Sequence, residues 1–211
     1  MLFCTLEGVS VAIKSRSAGS AETTKGAETR AAILDRAVDL ASAEGLEGLT
    51  IGRLAAELEM SKSGLFAHFG SKQELQLATV DGAARRFRGA VIDPTADAPD
   101  GAPRLRAIAD AYLAHLDAGA YSGGCFWAST SAEYDDRPGP VRDAIAGALD
   151  AWLAELERQA RIAGAVQPER LAFELYAVVM GANSRYRLSG DRKVFEYARD
   201  AIERLLDEVP G

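Results

Sequence analysis

Thr50-Ile51-Gly52-Arg53-Leu54-Ala55-Ala56-Glu57-Leu58-Glu59-Met60-Ser61-Lys62-Ser63-Gly64-Leu65-Phe66-Ala67-His68-Phe69-Gly70-Ser71-Lys72-Gln73-Glu74-Leu75 is the stretch on which the fold turns. Three hydroxyl residues, Thr50, Ser61 and Ser71, each stand in front of a short run of helix formers. Such a hydroxyl accepts a bond from an otherwise unpaired N–H of the helix that follows. Ser71 with Glu74 reads as a capping box, whereas Thr50 has Arg53 where a box would want Glu. Ile51, Leu54, Ala55 and Leu58 recur at steps of three and four, which puts them on one side of the first helix. Leu65 and Phe69, four apart, make the buried side of the second. At about 100° per residue the opposite side carries Ser63, Gly64 and Ala67, flanked by Lys62 and Phe66 on one edge and His68 on the other. A short helix with small outward residues and a cation in its first turn can lie close against another surface. Helix, tight turn, helix is the arrangement whose second helix enters a DNA major groove.

The ordered run from Ser61 to Leu75 resembles the DNA-binding domain of the TetR family of bacterial one-component transcriptional regulators. The likeness covers roughly residues 27–75 and continues beyond them only as an architecture. It implies that Thr50, Lys62, Ser63, Gly64, His68 and Lys72 face DNA, mostly its phosphates, on a helix that begins at Ser61 and also presents Phe66 and Ala67. Thr50, His68 and Lys72 would hold phosphates and Lys62 a phosphate or a guanine edge, with Ala67 or Gly64 packing on thymine methyls. With so few long polar side chains on that face, much of the readout is expected from DNA shape. Two positions depart from the family pattern. Phe66 stands where a tyrosine is usual, which removes a phosphate hydrogen bond. Glu59 stands in the turn where a glycine is usual, and a left-handed conformation there costs about 1 kcal/mol relative to glycine.

The charge balance at first opposes a nucleic-acid partner, since the 211-residue chain carries a net charge of −7. The acidity is segregated. Residues 1–88 hold 11 Lys/Arg and 11 Asp/Glu, while residues 89–211 hold 13 and 20. A neutral half with a locally basic face suits specific binding rather than indiscriminate coating of nucleic acid. Ala, Leu, Glu, Asp and Arg dominate and no alternating β-branched run occurs, so the fold is expected to be all-α, with about nine helices. Cys4 and Cys125 show no disulfide spacing, and no apolar run reaches membrane-spanning length. A reduced, cytoplasmic setting without a signal peptide or membrane contact is expected.

Three segments follow. Residues 1–26, rich in Ser, Ala, Gly and Thr towards their end, read as a flexible N-terminal arm. They are either a dispensable extension or an arm whose Lys14, Arg16 and Lys25, with Arg30 beyond, lean on DNA. Residues 27–75 read as the helix-turn-helix domain, its first helix starting near Ala27 and ending at Gly45. Residues 76–211 read as a helical effector-binding and dimerisation domain. Its helices are expected from Ser71 to about Val91, then over 102–119, 125–134, 141–163, 169–188 and 191–209, with a loop from Asp93 to Pro103. Arg85, Arg86 and Arg88 would pair with the acidic second half.

Tyr112, His115, Cys125, Phe126, Trp127 and Tyr134, with Phe87 beneath, are candidates to line a pocket, although an ordinary helical core uses the same residue types. The resemblance favours the pocket, and with it a small apolar or aromatic effector. The 169–188 helix is apolar nearly all round and needs two partners for its faces. A second copy of the chain would cover Phe173, Ala177 and Met180, with Tyr197, Ile202 and Leu205 of the last helix completing a four-helix bundle across a twofold axis, as in the resembled family. His68 and His115 lack metal-ligand spacing, no phosphate-cradling glycine loop occurs, and no third group orients His115 and Cys125 for catalysis, so neither metal, cofactor nor enzyme activity is expected. The expectation is a homodimeric repressor on a palindromic operator. The alternative is a ligand or redox sensor acting through Cys125, as an activator or with secondary DNA contact.

Overall fold

Each of the three hydroxyl caps forms. Thr50 Oγ1 accepts from the Arg53 N–H at 3.0 Å, Ser61 Oγ from Gly64 at 3.1 Å and Ser71 Oγ from Glu74 at 3.1 Å. The reciprocal arm of the Ser71 capping box is absent, because the Ser71 N–H donates to the Phe69 carbonyl at 2.8 Å instead. The chain bends so sharply after α3 that this nearer acceptor wins.

The computed structural model describes residues 24–209. Among them are nine α-helices and no strand: α1 Thr24–Glu44, α2 Ile51–Glu57, α3 Lys62–Phe69, α4 Lys72–Phe87, α5 Ala102–Asp117, α6 Phe126–Tyr134, α7 Pro140–Ile162, α8 Pro168–Ser189 and α9 Lys193–Asp207. Helix α1 starts three residues ahead of the expected Ala27. The rest of the expected arm, with Lys14, Arg16 and Cys4, lies outside the described residues.

A helix as short as α3 has little stability of its own. Its position is set by the complete burial of Leu65 and the near-complete burial of Phe69, each contributing about 1.5–3 kcal/mol. Those side chains join an unbroken core that begins with Ile33, Ala37 and Ala41 on α1 and ends with Phe195, Ile202 and Leu206 on α9. Leu46 and Leu49, in the turn between α1 and α2, are fully buried beneath it.

The end of α4 differs from expectation. The α-helix stops at Phe87, widens into a π-helical turn over Arg88–Ile92 and tightens into a 3₁₀ turn over Asp93–Thr95. Pro94 has no N–H and its ring cannot continue an α-helix, so the chain changes its hydrogen-bond pattern before reaching it. The stretch from Asp93 to Pro103, expected as a loop, is instead pinned at both ends. Thr95 Oγ1 donates to the Ile92 carbonyl at 2.8 Å and Arg104 donates to the Thr95 carbonyl. Buried Gln159 of α7 accepts from the Gly101 N–H at 2.7 Å and donates to Asp100 at 2.9 Å. Of the three arginines near the end of α4, only Arg86 reaches the second half of the chain. It finds a backbone carbonyl there, that of Ala120, and stacks over the Tyr121 ring. Arg85 pairs with Asp81 and Arg88 with Asp93 close by.

Candidate nucleic-acid interface

The turn that aims α3 is made by Glu59. Its φ is +53°, the one positive value at a non-glycine among the described residues. The Met60 N–H then reaches the Ala55 carbonyl at 2.9 Å and the Glu59 N–H the Ala56 carbonyl at 3.4 Å. That pair of bonds is the Schellman ending of a helix, which normally uses glycine at the left-handed position.

Helix α3 turns Lys62, Ser63, Phe66 and Ala67 to the exterior, with Gly64 and His68 half-buried at the sides. Phe66 is 54% exposed, one of six large apolar side chains left so open among the described residues. Lys62 does not extend along the helix. Its Nζ and the Thr50 Oγ1 lie 3.7 and 3.9 Å from the point where a Cβ on Gly52 would stand. The ammonium is therefore folded back over the start of α2, beside a hydroxyl and the positive end of a helix. Ammonium, hydroxyl and helix start together suit a phosphate oxygen better than a base edge.

Lys72, the other cation of this face, is held by Glu47 at 2.5 Å. That hydrogen bond keeps the Glu47 carboxyl below its ordinary range. The tie continues inward. Tyr134 of α6 donates to Glu47 at 3.3 Å, and Gln76 donates to the Leu46 carbonyl at 2.7 Å and to the Tyr134 oxygen at 3.1 Å. Burial, then the Glu47 charge, pushes the Tyr134 phenol up to about 12. Glu133 accepts from the Leu46 N–H at 2.7 Å and the Glu47 N–H at 2.9 Å. One end of α6 thus grips the turn between α1 and α2. Tyr134, expected among pocket aromatics, sits in this seam.

The remaining aromatics form two groups. Phe87 meets Tyr112 at 4.8 Å and Trp152 at 5.0 Å, with His115 at 6.4 Å. His115 also stacks edgewise on Tyr121 at 5.3 Å, and burial, then nearby Arg86, lowers its pKa. Phe126 and Trp127 pair with each other. The cavity between α5, α7 and α8 is lined by Leu105, Ile108, Ala109, Tyr112, Trp152, Leu156, Leu175, Tyr176 and Val179, with about 10 Å³ of free space, room for about one water. Of the expected lining only Tyr112 borders it. Trp152 and Tyr176 were missed because each stands on a helix stripe that reads as plain packing. Cys125 lies against the Tyr112 hydroxyl at 3.1 Å, its N–H donating to Asn183 at 3.1 Å. Burial raises its thiol pKa, which opposes the thiolate that redox chemistry uses.

Two family models match the chain. Residues 33–79 match that of bacterial regulatory proteins, tetR family, and residues 101–202 that of the tetracyclin repressor-like C-terminal domain. The chain belongs to the TetR family. It is a DNA-binding transcriptional regulator and not an enzyme. A TetR transcriptional regulator from Chloroflexus aurantiacus J-10-FL is 25% identical, with 88% of this chain and 97% of that one covered at a TM-score of 0.80. A TetR-family regulator from Streptomyces coelicolor is 26% identical over 88% and 97%, with a TM-score of 0.76. AibR, crystallised with isovaleryl coenzyme A and operator DNA, shares the fold at 23% identity over 86% and 98%, with a TM-score of 0.68. No curated protein sequence matches.

In this TetR chain α8 leaves a stripe uncovered: Phe173, Ala177, Gly181 and Ser184 are exposed, with Met180 half-buried beside them. A Cβ at Gly181 would meet nothing within 4 Å. Phe173 and, on α9, Tyr197 are each 63% exposed, while Leu205 is half-buried. Ile202, expected on the same face, is 3% exposed and belongs to the core of its own chain. Its position in α9 turns it inward with Ala198 and Leu206. No helix of the described residues is long and apolar enough to cross a membrane, and no metal-binding cluster occurs among them.

Proposed function

We propose that the protein is a homodimeric, effector-released repressor in the cytoplasm. Residues 27–75 would act as its DNA-binding unit and residues 76–211 as its effector and dimerisation unit. Two copies joined through Phe173, Ala177, Met180 and Tyr197 would set their α3 helices into successive major grooves of a palindromic operator, about 34–36 Å apart. Thr50, Lys62 and Lys72 would hold phosphates, with Ser61, Ser63, Gly64 and His68 shaping the contact. The observation that carries this reading is the Lys62 ammonium folded beside Thr50 at the start of α2, next to the outward face of α3.

The effector would be small and apolar or aromatic, entering between α5, α7 and α8. Drug-sized ligands need about 300–1,000 Å³, far more than the closed interior offers. Binding would therefore require these helices to part, which links occupancy to a change of shape. The ligand would move the equilibrium only by its difference in affinity for the two shapes. AibR, seen with an acyl coenzyme A and with operator DNA, supports this class of regulation for the fold.

A footprint of the purified protein on its own upstream region tests the reading. Lys62→Ala should weaken binding about tenfold and lower the slope of affinity against salt by about one, with dimerisation unchanged. Equal affinity of mutant and parent in a gel shift would mean that α3 is not the reading helix.

A further inference from the structure

The exposed face of α3 contains little that reads bases through hydrogen bonds. Base edges are discriminated mainly by Arg, Lys, Asn and Gln, whose long polar ends reach two groups at once. Among these types α3 carries only Lys62, and its ammonium is drawn back towards Thr50. The Ser63 hydroxyl lies 3.3 Å from that of Ser61. His68 is half-buried with its ring 6.2 Å from that of Phe69. The outward groups that remain are Phe66 and Ala67, adjacent in sequence, exposed and apolar. Phe66 stands apart from every other large exposed apolar side chain of the described residues, since those occupy the end of α7, the turn after it, α8 and α9.

An open phenyl ring costs solubility unless something covers it. The major groove displays one apolar substituent among its four base-pair patterns, the C5 methyl of thymine. We propose that Phe66 is a specificity-determining residue that reads thymine methyl groups, one in each operator half-site. The phenyl ring, lacking a hydroxyl to donate to a phosphate, buries against the methyl and discriminates T·A from the other pairs by contact area. This rests on the DNA-binding reading above, and makes a claim about which group in the groove is recognised.

The test begins with operator duplexes selected from a random library by the purified full-length protein. Thymines are then replaced one symmetric pair at a time by deoxyuridine, which pairs identically but lacks the methyl. Burial of one methyl corresponds to about a fourfold change in affinity, so removing it from both half-sites should cost about fifteenfold at the position Phe66 touches. Phe66→Ala should bind the thymine and uracil operators equally well, and Phe66→Leu should keep part of the preference. The ring is exposed, so thermal melts of both variants should match the parent.

A parent protein indifferent to every deoxyuridine overturns the proposal while leaving operator recognition intact. So does a deoxyuridine penalty that Phe66→Ala shares in full, which would transfer methyl reading to a neighbour such as Ala67. If the library yields no preferred sequence, the operator reading itself falls, and this proposal with it.

Discussion

The outward face of α2, α3 and α4 and the aromatic interior between α5 and α8 put similar demands on side chains in opposite ways. On the first, function depends on residues that pack against nothing in their own chain: Lys62, Ser63, Phe66 and Ala67 are exposed. In the second, Phe87, Tyr112 and Trp152 interlock edge to face at 4.8–5.9 Å. DNA presents a nearly constant surface, so a short run of caps and small residues suffices to meet it. An effector can have any shape, and a space for it exists only where several helices fail to touch. The exterior site is therefore a local property of one segment, and the interior one a collective property of four helices.

Several measurements would break or sharpen that contrast. The largest effect is expected where the exterior site depends on a second copy. Phe173→Asp should dissociate the dimer in sedimentation runs and lower operator affinity at least about 100-fold, since one linked half-site would no longer assist the other. A variant that stays dimeric would move the interface elsewhere.

Next is the joint between the two regions. A Cβ on Gly123 would stand 1.9 Å from the Ser42 carbonyl oxygen of α1. Gly123→Ala should therefore destabilise the protein by about 1–3 kcal/mol in urea unfolding. An unchanged midpoint would show the loop free to retreat, and the two regions less firmly joined than Ser42 and Gly123 suggest.

A smaller effect, of opposite sign, is expected in the turn that aims α3. Glu59→Gly should stabilise by about 1 kcal/mol by relieving the left-handed backbone. A loss of stability would mean that the Glu59 side chain contributes more than its backbone costs.

The smallest concerns the interior. The His115 pKa lies below its ordinary value of about 6.5 because burial, then Arg86, disfavours the imidazolium. The unfolded chain binds that proton more readily. His115 thus contributes stability in full above about pH 6.5, and the contribution is lost as pH falls towards the folded-state value. Between about pH 7.5 and about pH 5.5 the parent should lose more stability than His115→Gln. Parallel losses would show that the site between Phe87 and Tyr121 is wetter than its packing implies.

Much of the exterior site was legible in advance because its determinants lie within four residues of one another. Caps at Thr50, Ser61 and Ser71, the Leu65–Phe69 pair and the left-handed Glu59 all follow from local geometry. The interior was less legible. Tyr134 reads as one more aromatic, yet its hydroxyl lies in the seam with Gln76 and Glu47. Trp152 reads as a seam residue, yet it borders the cavity. Ile202 reads as surface for a partner, yet it is core.

By itself the order of residues determined that the chain is all-helical, where nearly every helix begins and ends, and that α3 turns small residues outward, because caps, glycines and apolar period act between near neighbours. Tertiary structure alone decided that Lys62 folds back on Thr50, that Glu133 and Tyr134 bind α6 to the turn after α1, and which apolar faces were left uncovered. A helix with two apolar sides has no internal means of choosing between them. That choice is made by the total area the assembled helices can bury, a quantity that belongs to no single segment.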